Sequence, residues 1–147
     1  ISLLRDVTTK AECIVTNAVK NECVRKDTYD SKIIKELIKE KLLKIAHVKP
    51  KELARIRKDF NIENGEASSL ALAIKESCIL ATDDKLTIKA CIILNINFST
   101  AIHFLIRAYK RNLVDKKTAL EKLSELEKYG RYSSRIIEDA KQRIEGE

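Results

Sequence analysis

Carboxylates open and close the stretch from Gly65 to Lys85, GEASSLALAIKESCILATDDK: Glu66 near its start, Asp83 and Asp84 at its end. Gathered carboxylates repel one another and raise each other's pKa. A hard divalent cation relieves that repulsion through oxygen ligands. The elements that would gather them are legible. Ala67, Leu70, Ala71 and Ile74 recur at helical spacing, so one face of a helix is apolar. Cys78 to Ala81 (CILA) reads as a short buried strand. A helix followed by a buried strand is half of an α/β repeat, which favours a parallel sheet. In such sheets chemistry collects beyond the carboxyl ends of the strands, where Asp83 and Asp84 fall. Each acid also has a helix-capping reading. Glu66 occupies a first helical turn, and Asp83 or Asp84 is placed to cap the helix LTIKACIIL.

The chain of 147 residues is read as one domain, long enough to bury a core. No apolar run approaches membrane-spanning length and no signal peptide is visible, so a cytoplasmic protein is expected. Cys13, Cys23, Cys78 and Cys91 form no C-x-x-C pair, which argues against zinc and for reduced thiols. Few Gly and Pro with abundant Lys, Ile and Glu give a thermophile-like composition. The net charge of +7 is unevenly spread. Residues 25–60 hold twelve Lys or Arg against six Asp or Glu, whereas residues 61–106 hold three against five. An acidic candidate site beside a basic segment suits a metal next to a polyanion, and a solvated helical hairpin would look the same.

Hydrophobic spacing and cap residues predict helices near 17–24, 31–43, 50–60, 66–77, 85–94, 100–112, 116–129 and 134–145. Strands are expected at Cys13–Val15, Lys44–Val48, Cys78–Ala81 and Ile96–Phe98. Thr16 and Ser31 are read as helix caps. This alternation predicts a three-layer α/β/α sandwich with a mostly parallel central sheet. Ile102, Leu105, Ile106, Tyr109 and Leu113 give one helix a wide apolar stripe, from which a homodimer is expected. His47 and His103 have no Ser or Cys at a spacing that would make a nucleophile and base. Ser99 and Thr100 read first as turn and cap residues, and second as groups holding water or phosphate at a strand end. No Gly-rich loop supports a Rossmann-like nucleotide site.

In their order these residues resemble the PIN-domain ribonucleases, most nearly the archaeal and bacterial proteins with a GEA-x-A-[LI]-x-LA helix. Here the helix runs Gly65-Glu66-Ala67-Ser68-Ser69-Leu70-Ala71-Leu72-Ala73, and an apolar strand and Thr82-Asp83-Asp84-Lys85 come next. Upstream, Val15 to Glu22 resembles the family segment that leads to a helical glutamate. The resemblance implies a parallel sheet flanked by helices, with Glu22, Glu66 and Asp84 as catalytic and metal-binding acids and Asp83 assisting. It also implies Mg²⁺ or Mn²⁺ as cofactor and single-stranded RNA as substrate, with Ser99, Thr100 and Lys85 toward the substrate and a possible antitoxin protein as partner. One departure is evident. The family's first acid is an Asp on a first strand, and Ile1-Ser2-Leu3-Leu4 resembles the segment just after that strand. The first strand and its Asp are therefore expected before Ile1, leaving this chain one ligand short. The alternative reading is a catalytically silent PIN-like module that binds RNA or protein.

Overall fold

The computed structural model describes residues 2–130 and 132–146. Its backbone groups into two compact units, one ending at Ser99 and one beginning at Thr100. The first unit opens with α1 (Ser2–Thr8), and β1 (Cys13–Thr16) leads straight into α2 (Asn17–Val24). Then come α3 (Tyr29–Lys39), β2 (Leu43–Ala46), α4 (Pro50–Phe60) and α5 (Asn64–Glu76). The unit ends with β3 (Leu80–Ala81), α6 (Lys85–Ile93) and β4 (Phe98–Ser99). All pairing among the described strands is parallel, β1 with β2 and β3 with β4. The fold is mixed α/β with helical connections between parallel strands, consistent with an α/β/α arrangement. The described strands form two separate parallel pairs rather than one continuous sheet.

Several boundaries move for identifiable reasons. The helix expected at 31–43 starts earlier, because Thr28 is its cap and Ser31 completes a capping box three residues on. It ends earlier too. Lys41 turns left-handed at φ 61°, releasing Leu43 to pair in β2 instead of continuing the helix. The CILA strand shrinks to Leu80–Ala81, since Ser77 adopts a left-handed conformation at φ 51° and the chain needs Cys78 and Ile79 to recover. Ser99 belongs to β4 rather than to a turn. The apolar tail at the chain's start continues as helix α1, while Ile1 lies outside the described residues.

Helix α5 is buried on more than one face. Gly65, Ala67, Ser68, Leu70, Ala71, Leu72 and Ala73 are all buried, whereas Ile74, expected inward, is exposed. Small side chains let neighbours approach closely, and α5 packs against α2, α4, α6, β1 and β3. One apolar cluster joins Ala67, Leu70 and Ala73 to Leu80, Ala90 and Cys91. A second joins Ile34 and Leu37 to Leu43, with Cys13 and Val15 against it. The four cysteines are free thiols.

The second unit is helical: α7 (Ala101–Lys110), α8 (Lys116–Tyr129) and α9 (Ser134–Glu145), packed pairwise. Ile102, Leu105 and Ile106 of the α7 stripe are buried, and Tyr109 and Leu113 are half-buried. No described helix is long and apolar enough to cross a membrane.

Candidate active site

Thr16 ends β1 and caps α2 at once, its Oγ1 accepting the Val19 N–H at 3.3 Å. That cap starts the helix carrying Glu22 immediately beyond the carboxyl end of a strand. From the other side, α5 begins with Glu63 as N-cap, and Glu63 makes no side-chain capping bond. Glu66 follows in the first turn, where backbone N–H groups favour negative charge. A buried hydroxyl pair joins the two helices, with Thr16 Oγ1 and Ser68 Oγ 2.6 Å apart. Ser68 Oγ also donates to the Gly65 carbonyl at 2.8 Å.

This joint brings Glu22 to Glu66. Glu22 is exposed along most of its length, yet its carboxylate sits against the first turn of α5. Its pKa is raised, first by that partial burial and then by the charges of Glu66 and Glu63. The Gly65 backbone N–H and the charge of Arg25 pull the other way. Beside it, Glu66 Oε2 is buried and has no hydrogen-bond partner. A buried carboxylate oxygen without a donor is costly, and native proteins rarely leave one unless a ligand, ion or water completes it. Two carboxylates whose charges interact, one with an orphaned oxygen, offer the hard oxygen donors that a divalent cation takes.

The other predicted residues have local roles of their own. Asp84 is the N-cap of α6, and its Oδ2 accepts from the Thr87 N–H at 2.7 Å and the Thr87 hydroxyl at 2.8 Å. Thr82 Oγ1 in turn accepts the Asp84 N–H at 3.1 Å. The capping reading of Asp84 is thus realised. Asp83 is exposed beside it, and Lys85 is the exposed first residue of α6. Among the described residues, no group of three or more His, Cys, Asp or Glu could hold a metal ion. Of the four predicted acids, Glu66 is the one whose charge acts on Glu22. Thr87 holds the Asp84 carboxylate in its capping role. Ser99 is buried at the end of β4, where its carbonyl accepts the Thr82 N–H at 3.0 Å. Thr100 caps α7 in the second unit, its Oγ1 accepting the His103 N–H.

Sequence reasoning misses two participants. Along the chain Gly65 is one letter of a motif, and nothing there shows it as the surface on which Glu22 rests. Ser68 stands as one small residue among several, although a hydroxyl on the buried side of an apolar helix needs a partner. That requirement is the available signal.

A family model described as a PIN domain matches residues 1–146. No curated protein and no solved structure matches the chain.

Proposed function

We propose that this chain, which belongs to the PIN-domain family, is a divalent-metal-dependent endoribonuclease acting on single-stranded RNA. PIN domains are nucleases in general and usually use divalent metals. The observation that carries the finer reading is the orphaned, buried Glu66 Oε2, on a carboxylate whose charge acts on Glu22. Glu22 and Glu66 would hold Mg²⁺ or Mn²⁺, with Asp83 and Asp84 proposed as further acids of the same site. A divalent cation there supplies Lewis acidity and neutralises charge building on the leaving oxygen of a phosphodiester. The chain's own contribution is positioning. Because the proton affinity of Glu22 is raised, an entering cation would favour its ionised form.

The basic segment supports a polyanionic substrate. On α3 and α4, Lys32, Lys35, Lys39, Lys51, Arg57 and Lys58 are all exposed. Lysines and arginines of this kind bind phosphate backbone without reading sequence. Ser99, Thr100 and Lys85 remain the proposed substrate-side residues. A cytoplasmic setting, an antitoxin protein as partner and a homodimer belong to the same proposal.

The test is cleavage of a labelled single-stranded RNA with Mg²⁺ or Mn²⁺. Cutting should stop in EDTA and in Glu66→Gln, which keeps the shape of the side chain and removes its charge. Cleavage that survives both would place the chemistry elsewhere. A second reading, a PIN-fold module that binds RNA or protein without cutting, is favoured by one observation: Asp84 is engaged in its helix cap. RNA binding without cleavage at any metal concentration would select it.

A further inference from the structure

Gly65 occupies the second position of α5, where the Glu22 carboxylate lies against it. Among the described residues no glycine has a positive φ, so backbone conformation does not demand glycine there. Helix propensity argues against it, because glycine is a poorer helix former than alanine. Space explains its presence. A Cβ on Gly65 would lie 2.7 Å from Glu22 Oε2, 2.9 Å from Oε1 and 3.1 Å from Cδ. Those distances are well inside van der Waals contact, and all three atoms are the far end of a flexible side chain. The fold would therefore tolerate a methyl group, and the carboxylate would have to leave.

We infer that Gly65 is a positioning residue that seats the Glu22 carboxylate on the first turn of α5, the turn that carries Glu66. Two features of the same turn fix the seat. Glu63, the N-cap, contributes no side-chain capping bond, and the Gly65 N–H favours the charged form of Glu22 instead. The Thr16–Ser68 hydroxyl contact, continued by Ser68 to the Gly65 carbonyl, ties the start of α2 to that turn. Glu22 thus reaches Gly65 from a helix whose first residue is anchored one turn away from it. This inference deepens the metal reading and rests on it for its purpose, whereas the seat itself is independent of any metal.

The experiment compares the wild-type chain with Gly65→Ala, Glu22→Ala and the double variant. Thermal unfolding in EDTA reads the seat. With Glu22 removed, Gly65→Ala should raise the melting temperature, because alanine is the better helix former and the space is vacant. With Glu22 present, the same change should bring a smaller rise or a fall. Equal shifts in the two backgrounds would overturn the inference, as would a Gly65→Ala chain that fails to fold with and without Glu22. Mn²⁺ titration followed by electron paramagnetic resonance then reads the purpose. Gly65→Ala should weaken Mn²⁺ binding about 10- to 100-fold, the range typical of lost ligand-orienting contacts. It should have no further effect once Glu22 is Ala. Unchanged Mn²⁺ affinity in Gly65→Ala would overturn the positioning role. A wild-type chain that binds no Mn²⁺ but shows unequal melting shifts would retire the metal reading and leave the seat standing.

Discussion

Replacing Ser68 by Ala removes one oxygen from the joint between α2 and α5, and counting protons gives the consequence. Ser68 has a single hydroxyl proton, which its Oγ gives to the Gly65 carbonyl at 2.8 Å. In the 2.6 Å contact between the two hydroxyls, Thr16 is then the donor. Thr16 Oγ1 also accepts the Val19 N–H, so its hydroxyl is fixed from both sides. In Ser68→Ala the Gly65 carbonyl keeps an acceptor role through Ser69 Oγ at 2.9 Å. The Thr16 hydroxyl has no such substitute, and Thr16 is 2% exposed. Stranding a buried donor costs about 1–3 kcal/mol. Alanine returns up to about 0.5 kcal/mol through its better helix propensity.

A net loss of about 2 kcal/mol is expected, which for a chain of this length lowers the melting temperature by about 4–8 °C. Thr16→Val should cost about 1 kcal/mol through the lost cap of α2. In that background the donor is already gone, so Ser68→Ala should then cost little. The double-mutant cycle should return a coupling of about 1–2 kcal/mol. Urea unfolding of the four chains measures it. Equal costs of Ser68→Ala in the two backgrounds would refute the proton assignment.

The raised pKa of Glu22 makes stability depend on pH with a definite sign. A native pKa above the unfolded value means that the native state binds more protons between the two. The contribution is present below the unfolded value and lost as pH rises through the native one. Glu22→Gln should flatten that fall and raise metal-free stability near neutrality, read from melting temperatures in EDTA between about pH 4 and 8. At the α6 cap, Asp84→Ala should cost about 1 kcal/mol, whereas Asp84→Asn should stay near wild type because asparagine caps equally well. Equal losses in calorimetry for the two Asp84 variants would contradict the capping account, while loss of RNA cleavage in a stable Asp84→Asn would add Asp84 to the site.

Local signals place much of the helical framework. The α8 and α9 boundaries follow from Asp115, Gly130 and Ser133, each a cap readable in place. Boundaries fail where one residue takes an unexpected backbone conformation, as Lys41 and Ser77 do at φ 61° and 51°. Nothing in a lysine or serine announces a left-handed turn. Helical spacing misplaces Ile74 because it assumes a single buried face, and α5 is contacted from several sides. At the site, Glu66 is legible as an acid opening a small-residue helix. Glu22 is legible only through resemblance, since it sits on a different helix. The Thr16–Ser68 contact spans 52 residues, and no window along the chain contains both.

These observations connect the composition of α5 to its chemistry. A helix contacted on several faces needs small residues for close approach, and Gly65, Ala67, Ser68, Ala71 and Ala73 provide that. Close approach carries a cost, because polar groups at the contact lose water and must find partners within it. Thr16 and Ser68 find each other, and the Glu22 carboxylate rests against Gly65. Glu66 Oε2 alone among the buried oxygens of this joint finds nothing. A packing arrangement selected for stability alone would replace Glu66 with an apolar or hydrogen-bonded residue, since most proteins have such stabilising changes within reach. A local rule broken inside an otherwise satisfied joint points to function. The carboxylate that weakens the joint is the one the proposed chemistry requires.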